Sequence, residues 1–191
     1  SDGGGAAFLD YNLDGFIDIY ACSGTWVEGF IKSERPADLP GGNKLFRNRG
    51  DGTYEDVTKK AGVGGPWYSM GVSSGDFNND GYPDLYISNY GPNVLLKNNG
   101  NGTFTDITKN ANVAGGKECS IGAAWLDFDN DSFLDLYVGN FLEFDPDYKY
   151  YYAPDGFPGP MAYDAQKDVL YHNNGDGTFE DVTEKMGITD I

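Results

Sequence analysis

Short apolar runs recur along the chain, and each is bounded by residues typical of turns, chiefly Gly, Asp and Asn. Three similar runs open on an aspartate, at Asp18-Ile-Tyr20, Asp84-Leu-Tyr-Ile87 and Asp135-Leu-Tyr-Val138. Apolar runs of this length between turn residues predict short strands. No run approaches the roughly 18 apolar residues of a membrane-spanning helix. The pattern therefore predicts an all-β chain that does not insert directly into a membrane.

An acidic loop precedes each of these three strands, and we call residues 10–18, 76–84 and 127–135 loops 1, 2 and 3. Each loop has Asp or Asn at positions 1, 3, 5 and 9 and a backbone carbonyl available at position 7, an oxygen-rich pattern suited to calcium. We expect about one Ca²⁺ ion per loop, three in this chain. The predicted ligands are Asp10, Asn12, Asp14, Phe16 and Asp18; Asp76, Asn78, Asp80, Tyr82 and Asp84; and Asp127, Asp129, Asp131, Phe133 and Asp135, with the aromatic residues contributing carbonyls.

The loops belong to an internal repeat, because a glycine lies five residues ahead of each first aspartate, at Gly5, Gly71 and Gly122. An EF-hand would close its loop with a glutamate at position 12 and would be flanked by helices. Position 12 is instead Ala21, Ile87 or Val138, inside a strand-like run. A metal-binding β-hairpin is therefore predicted.

A second motif follows each loop, at residues 45–58, 95–108 and 170–183. It places Gly-Asp-Gly or Gly-Asn-Gly between two short strands, and these residues tolerate the positive φ of hairpin turns. Calcium is not expected there, because a glycine occupies the third ligand position. The closing Asp-Val-Thr or Asp-Ile-Thr predicts an N-capped helical turn that ends at Gly62 or Asn112.

Each unit thus contains four short antiparallel strands in about 50 residues before insertions, as in a β-propeller blade. The predicted blades are residues 1–66, with an insertion near 22–42, residues 67–117, and residues 118–191, with an insertion near 141–167. Since closed propellers normally have four to eight blades, we expect these three to be part of a larger propeller.

The chain is strongly acidic, with 30 acidic residues against 13 basic residues and a formal net charge of -17. Ten of the acidic residues lie in the three loops. Three bound divalent cations would still leave a large negative charge. Nucleic acid and anionic membrane surfaces are therefore disfavoured as partners.

Catalytic and redox signatures are weak. The only histidine, His172, occupies the position of Arg47 and Lys97 in the other units, so we predict a solvent-facing strand position. The sequence lacks a nucleophile elbow, a Walker loop and zinc-ligand spacing, and we expect no enzymatic activity. Cys22 and Cys119 would be about two blades apart, which favours buried free thiols over a disulfide.

Aromatic residues concentrate in the insertions and in the first interblade link. Strand order places these segments on the face of the propeller opposite the acidic loops, where exposed aromatic clusters mark binding surfaces. The alternative is that these loops fold back and cover their own blades. The candidate partner-binding residues are Trp26, Phe30, Trp67, Tyr68, Phe141, Phe144, Tyr148, Tyr150, Tyr151, Tyr152, Phe157 and Tyr163.

The pairing of Asp-x-Asn-x-Asp-Gly-x-x-Asp-Leu-Tyr with Gly-Asp-Gly-Thr-Phe-x-Asp-Val-Thr resembles the FG-GAP/VCBS repeat proteins. The resemblance is narrower to the cartilage acidic protein branch that carries an ASPIC/UnbV domain, whose common insertion resembles Phe144-Asp145-Pro146 and residues 156–163. It implies a calcium-binding propeller related to the integrin α-chain head, secreted or displayed at a surface. Ser132 departs from the pattern, because it replaces the turn glycine and makes a positive φ more costly.

We therefore expect a noncatalytic, calcium-stabilised propeller module that mediates protein or glycan contacts at an extracellular, cell-surface or periplasmic location. One alternative is a structural subunit of a larger extracellular or periplasmic assembly, with the aromatic loops buried against neighbouring chains. Another is part of a calcium-dependent polysaccharide-active enzyme, since some lyase propellers use similar loops. That alternative requires basic and acid/base residues that converge on one face.

Overall fold

The computed structural model describes residues 4–24, 42–143 and 163–188. These residues form three four-stranded antiparallel sheets, each with its strands in sequence order. The first comprises β1 (Ala6–Leu9), β2 (Asp18–Ala21), β3 (Lys44–Asn48) and β4 (Tyr54–Asp56); the second β5 (Ser69–Gly75), β6 (Asp84–Asn89), β7 (Val94–Asn98) and β8 (Phe104–Asp106); the third β9 (Ser120–Leu126), β10 (Asp135–Asn140), β11 (Val169–Asn173) and β12 (Phe179–Asp181). Because this is the strand arrangement of propeller blades, the predicted fold class is confirmed. We call the sheets blades 1, 2 and 3.

The first strands of the blades pack side by side, and the repeated glycines lie where they meet. A Cβ atom added at Gly5 would lie 2.8 Å from Cα of Gly71, and one at Gly71 would lie 2.8 Å from the carbonyl oxygen of Ile121. Side chains at these positions would force the strands apart. The glycines five residues ahead of loops 1 and 2 therefore set the spacing between neighbouring blades.

The hydrophobic core lies between the blades. The aromatic residue at position 2 of each of the first two loops is buried against the following blade: Tyr11 stacks on Phe104 at a ring-centroid distance of 6.2 Å, and Phe77 contacts Phe179 at 5.7 Å. The second of these clusters also contains Trp125, 6.2 Å from Phe77. Since loops 1 and 2 each contribute an aromatic ring to the next interface, loop conformation and blade packing are linked.

Buried polar side chains join the blades at the end opposite the acidic loops. The side-chain amide of Asn43 donates to Ser69 Oγ at 2.9 Å, and that hydroxyl donates to Asn89 Oδ1 at 2.8 Å. Asn93 repeats the arrangement in the next blade, with a 3.0 Å hydrogen bond to Ser120 Oγ. Each interface is thus joined by specific hydrogen bonds as well as by apolar packing.

The short helices α1 (Thr58–Ala61) and α2 (Thr108–Ala111) end as predicted, since Gly62 and Asn112 adopt left-handed conformations with φ of 74° and 63°. Val57 and Ile107 occupy the N-cap positions and neither makes a side-chain capping bond. The predicted capping bond comes from the aspartate that precedes each of them. Asp56 and Asp106 each accept a 3.0 Å hydrogen bond from the backbone N–H of the first helical residue.

Both cysteines are free thiols. Cys22 is half-buried and its Sγ lies 3.5 Å from the carbonyl oxygen of Gly71, while Cys119 is buried and pairs through its backbone with Tyr90. Burial raises the pKa of the Cys22 thiol to about 12, and it also raises that of Cys119. The predicted free thiols are confirmed, whereas burial is confirmed for Cys119 and is only partial for Cys22.

Candidate metal centres

Each acidic loop joins the first two strands of its blade, and its first aspartate organises the turn. In loop 1, Asp10 Oδ1 accepts a 3.0 Å hydrogen bond from the backbone N–H of Asp14, and Oδ2 accepts a 2.7 Å bond from Gly15. Asp76 and Asp127 accept the same pair of backbone hydrogen bonds in loops 2 and 3. Each carboxylate oxygen has two lone pairs, so these bonds shape the loop and leave acceptor capacity for a cation.

The last aspartate of each loop, Asp18, Asp84 or Asp135, is 0% exposed. Asp84 Oδ2 accepts from the N–H of Phe77 at 3.2 Å, and Oδ1 accepts from the N–H of Asn98 at 2.7 Å. Burial is the main cause that raises the pKa of Asp84 to about 7, and the charges of Asp80 and Asp76 contribute to the same shift. A bound cation would favour the ionised carboxylate and oppose this shift.

The aromatic residue at position 7 of each loop packs on the glycine of the second hairpin in the same blade. A Cβ atom at Gly100 would lie 2.8 Å from the Tyr82 ring, and one at Gly175 would lie 2.9 Å from the Phe133 ring; Gly50 and Phe16 are in the same contact. These glycines also have φ of 70° to 74°. The Gly-Asp-Gly motif therefore supports the loop by close packing, which the sequence did not reveal.

Hydrogen bonds connect the loops of neighbouring blades. Asn98 of blade 2 donates its side-chain amide to the carbonyl of Tyr11 in loop 1 at 2.8 Å, and Asn173 of blade 3 donates to Phe77 in loop 2 at 2.8 Å. In addition, the amide of Asn79 in loop 2 donates to the carbonyl of Ser132 in loop 3 at 2.9 Å. The three loops consequently lie on one face of the described structure.

A basic or imidazole side chain on the third strand of each blade faces the loop of that blade. Arg47 Nη2 lies 2.7 Å from Asp14 Oδ2, Lys97 Nζ lies 3.6 Å from Asp80 Oδ2, and His172 Nδ1 lies 3.2 Å from Asp135 Oδ1. The hydrogen bond from Arg47 is the main cause of a lowered pKa at Asp14.

The predicted solvent-facing position of His172 is wrong: its side chain is 25% exposed and contacts loop 3. Spacing along the sequence could not show this cross-strand contact.

Carboxylates converge most closely in loop 3. Oxygens of Asp127, Asp129 and Asp135 lie within 4.8 Å of one another, and Asp129 and Asp131 form a second such group with His172. Loops 1 and 2 have an asparagine at position 3 and hence one fewer carboxylate. All three loops supply carboxylate or amide oxygens at positions 1, 3, 5 and 9, a donor set that fits a hard divalent cation such as Ca²⁺.

The loop backbone carries positive φ values at positions 4 and 6. At position 6, φ is 87° for Gly15 and Gly81 and 76° for Ser132, in agreement with the strain expected from the serine. At position 4, φ is 55° for Leu13, 56° for Asn79 and 63° for Asn130. Asparagine tolerates this conformation better than leucine does. The strain at Leu13 was not anticipated from the sequence.

Four of the aromatic residues proposed for partner binding lie in the described structure: Trp67, Tyr68, Phe141 and Tyr163. Trp67 and Tyr68 precede β5, whereas loop 2 follows it, so they lie at the opposite end of the blade from the acidic loop. Both line a groove of about 900 Å³ between blades 2 and 3. The remaining candidates fall outside the described residues: Trp26, Phe30, Phe144, Tyr148, Tyr150, Tyr151, Tyr152 and Phe157.

The fold and the loops together define β-propeller blades built from acidic-loop repeats. The FG-GAP-like repeat family matches residues 10–87 and 76–138, so the chain belongs to this family, as predicted. The chain is also similar to cartilage acidic protein 1, with 47% identity to the Homo sapiens protein, 43% to that of Mus musculus and 41% to that of Xenopus tropicalis. Each match extends over 51 residues, which are 26% of this chain and 8% of the relative. Within the described residues, no helix combines the length and apolarity needed to cross a membrane.

Proposed function

We propose that this chain is a noncatalytic, calcium-stabilised propeller module that mediates protein or glycan contacts outside the cytoplasm. The observation that carries the proposal is the recurrence of one buried aspartate and several partly exposed oxygen ligands in each loop. Calcium would be held by the side-chain oxygens at positions 1, 3, 5 and 9, with the carbonyls of Phe16, Tyr82 and Phe133 as further ligands. Its charge would offset repulsion among clustered carboxylates and so stabilise the loops.

The groove between blades 2 and 3 supports a binding role for the opposite face. It combines the aromatic rings of Trp67, Tyr68 and Tyr90 with polar side chains such as Asn93 and Lys109. Aromatic rings with a small number of polar groups are typical of ligand-binding clefts and of the centres of protein interfaces. Similarity to cartilage acidic protein 1 supports an extracellular location for this interaction.

The acidic residues that line the groove support a noncatalytic role, because each already binds backbone. Asp106 and Asp181 accept hydrogen bonds from the N–H groups of Thr108 and Thr183, both at 3.0 Å. Glu118 accepts from the N–H of Gly116. These carboxylates maintain turns, whereas a general acid or base must be positioned to exchange a proton with a substrate.

Calorimetric titration of the chelator-treated chain with Ca²⁺ tests the metal-binding part of the proposal. We expect three sites in the parent chain and two in Asp80→Ala. Glu184→Gln is the matched control, since it removes an exposed negative charge outside the loops and should leave three sites. Absence of calcium binding in the parent chain, or thermal unfolding that is indifferent to chelator, would contradict the proposal.

A panel of immobilised oligosaccharides and a panel of extracellular-matrix proteins test the binding part. We expect Tyr68→Ala to weaken binding at least tenfold without changing calcium affinity, because its ring lines the groove and lies away from the loops. Tyr54→Ala is the control, since Tyr54 is 46% exposed and lies on the second hairpin of blade 1. Equal losses in both variants would assign recognition to another surface.

A further inference from the structure

We propose that loop 3 and His172 form a mixed oxygen–nitrogen site that binds a divalent transition-metal ion in preference to calcium. This inference rests on the proposed metal-binding role of the loops and distinguishes loop 3 from the other two. The ligand atoms are the carboxylate oxygens of Asp129, Asp131 and Asp135 together with Nδ1 of His172.

The geometry brings the imidazole into the loop. His172 Nδ1 lies 3.5 Å from Asp129 Oδ2 and 3.2 Å from Asp135 Oδ1. The ligand atoms of Asp129, Asp131 and His172 all lie within 4.8 Å of one another, so a small adjustment would let them share one ion. The edge-to-face contact between Phe128 and the His172 ring, with centroids 5.8 Å apart, holds the ring over the loop.

The corresponding positions in the other blades cannot supply a nitrogen ligand. Arg47 and Lys97 carry protonated nitrogens that donate hydrogen bonds and offer no lone pair at neutral pH. Each instead places a positive charge beside its loop, 2.7 Å from Asp14 and 3.6 Å from Asp80. A neutral imidazole offers one nitrogen lone pair and adds no opposing charge.

Charge also distinguishes the sites. Loop 3 has four carboxylates, whereas loops 1 and 2 each have three and face a fixed cation. Greater negative charge strengthens attraction for any divalent ion. The nitrogen ligand then selects among ions, because imidazole suits Co²⁺, Ni²⁺ and Zn²⁺ better than Ca²⁺, which prefers oxygen.

The test is a Co²⁺ titration of the full chain, prepared without a polyhistidine tag and saturated with Ca²⁺. We expect one Co²⁺ ion to replace calcium, with visible d–d absorption and a paramagnetic shift of the imidazole resonances. His172 is the only histidine in the chain, so that signal reports this site alone. His172→Gln should lower Co²⁺ affinity at least tenfold while calcium titration still finds three sites.

The reciprocal variant gives loop 2 the composition of loop 3. Asn78→Asp combined with Lys97→His should produce a second Co²⁺ site; no gain would count against the inference. Unchanged Co²⁺ affinity in His172→Gln, or an unshifted imidazole signal in the parent chain, would overturn it. Three calcium sites with no cobalt preference would refute this inference alone. Failure of the parent chain to bind either ion would refute the proposed calcium-binding function as well.

Discussion

The side-chain amide of Asn98 donates a 2.8 Å hydrogen bond to the backbone carbonyl of Tyr11, so that blade 2 holds loop 1 of the preceding blade. Asn98 is fully buried, and its own N–H donates to Asp84 in loop 2. One residue therefore contacts two acidic loops. Asn173 occupies the same position between loops 2 and 3.

Asn98→Ala should destabilise the fold by about 2 to 3 kcal/mol, because it leaves a buried carbonyl without its donor and opens a small cavity. Urea unfolding in excess Ca²⁺ measures the change. Asn48→Ala is the matched control. Asn48 makes the same turn contact to Gly50 that Asn98 makes to Gly100, but its amide bonds Ile17 within its own blade in an exposed setting. Equal losses would show that the interblade bond contributes little.

Gly71→Ala should destabilise the fold by about 1 to 3 kcal/mol, because the added Cβ would meet the Ile121 carbonyl at 2.8 Å and force the inner strands apart. Gly122→Ala provides the comparison at the equivalent repeat position. A Cβ atom there has no neighbour within 4 Å, so we expect a much smaller change. Thermal unfolding of both variants at one calcium concentration measures the difference. Both variants lose the flexibility of glycine, but only Gly71→Ala places a Cβ atom against a neighbouring strand.

Ser132→Gly should stabilise the protein by about 1 kcal/mol, since the residue has a φ of 76° that costs an L-amino acid conformational energy. Gly81→Ser should have the opposite effect at the equivalent position, where φ is 87° and no atom obstructs a side chain. Both should be measured by denaturant unfolding with calcium and with chelator. A destabilised Ser132→Gly variant would show that the serine hydroxyl has a role that outweighs the strain.

The lowered pKa of Asp56 should make the stability of the fold depend on pH in the acidic range. Hydrogen bonds from Thr58 and then from Lys44 lower its pKa from 3.8 to about 2. A carboxyl whose pKa is lower in the folded state stabilises the protein above about pH 4, and this contribution is lost as the pH falls towards 2. The stability difference between the parent chain and Asp56→Asn should therefore shrink between pH 5 and pH 2. A constant difference across this range would contradict the lowered pKa of Asp56. Glu184→Gln is the charge-matched control.

The repeat, the strands and the composition of the acidic loops were predictable because they depend on local signals. Turn residues mark the hairpins, apolar runs mark the strands, and the spacing of Asp10, Asn12, Asp14 and Asp18 is visible in the sequence. The helix C-terminus at Gly62 follows from the same local chemistry.

Contacts between strands and between blades could not be read in this way. The recurrence of Asn48, Asn98 and Asn173 was visible, but their hydrogen-bond partners depend on how blades stack. The position of His172 over loop 3 depends on the twist and pairing of β10 and β11. Similarly, the contact between Tyr82 and Gly100 requires the two hairpins of a blade to lean towards each other.

The two unpaired cysteines have a consequence for durability in an oxidising environment. Disulfide exchange and oxidation proceed through the thiolate, and burial raises the pKa of Cys22 to about 12. Near neutral pH almost none of this thiol is ionised, and the buried position of Cys119 restricts its access to oxidants. The fold therefore slows oxidation of these thiols, so that their chemical lifetime depends on blade packing, and a blade that opens would expose them to oxidants.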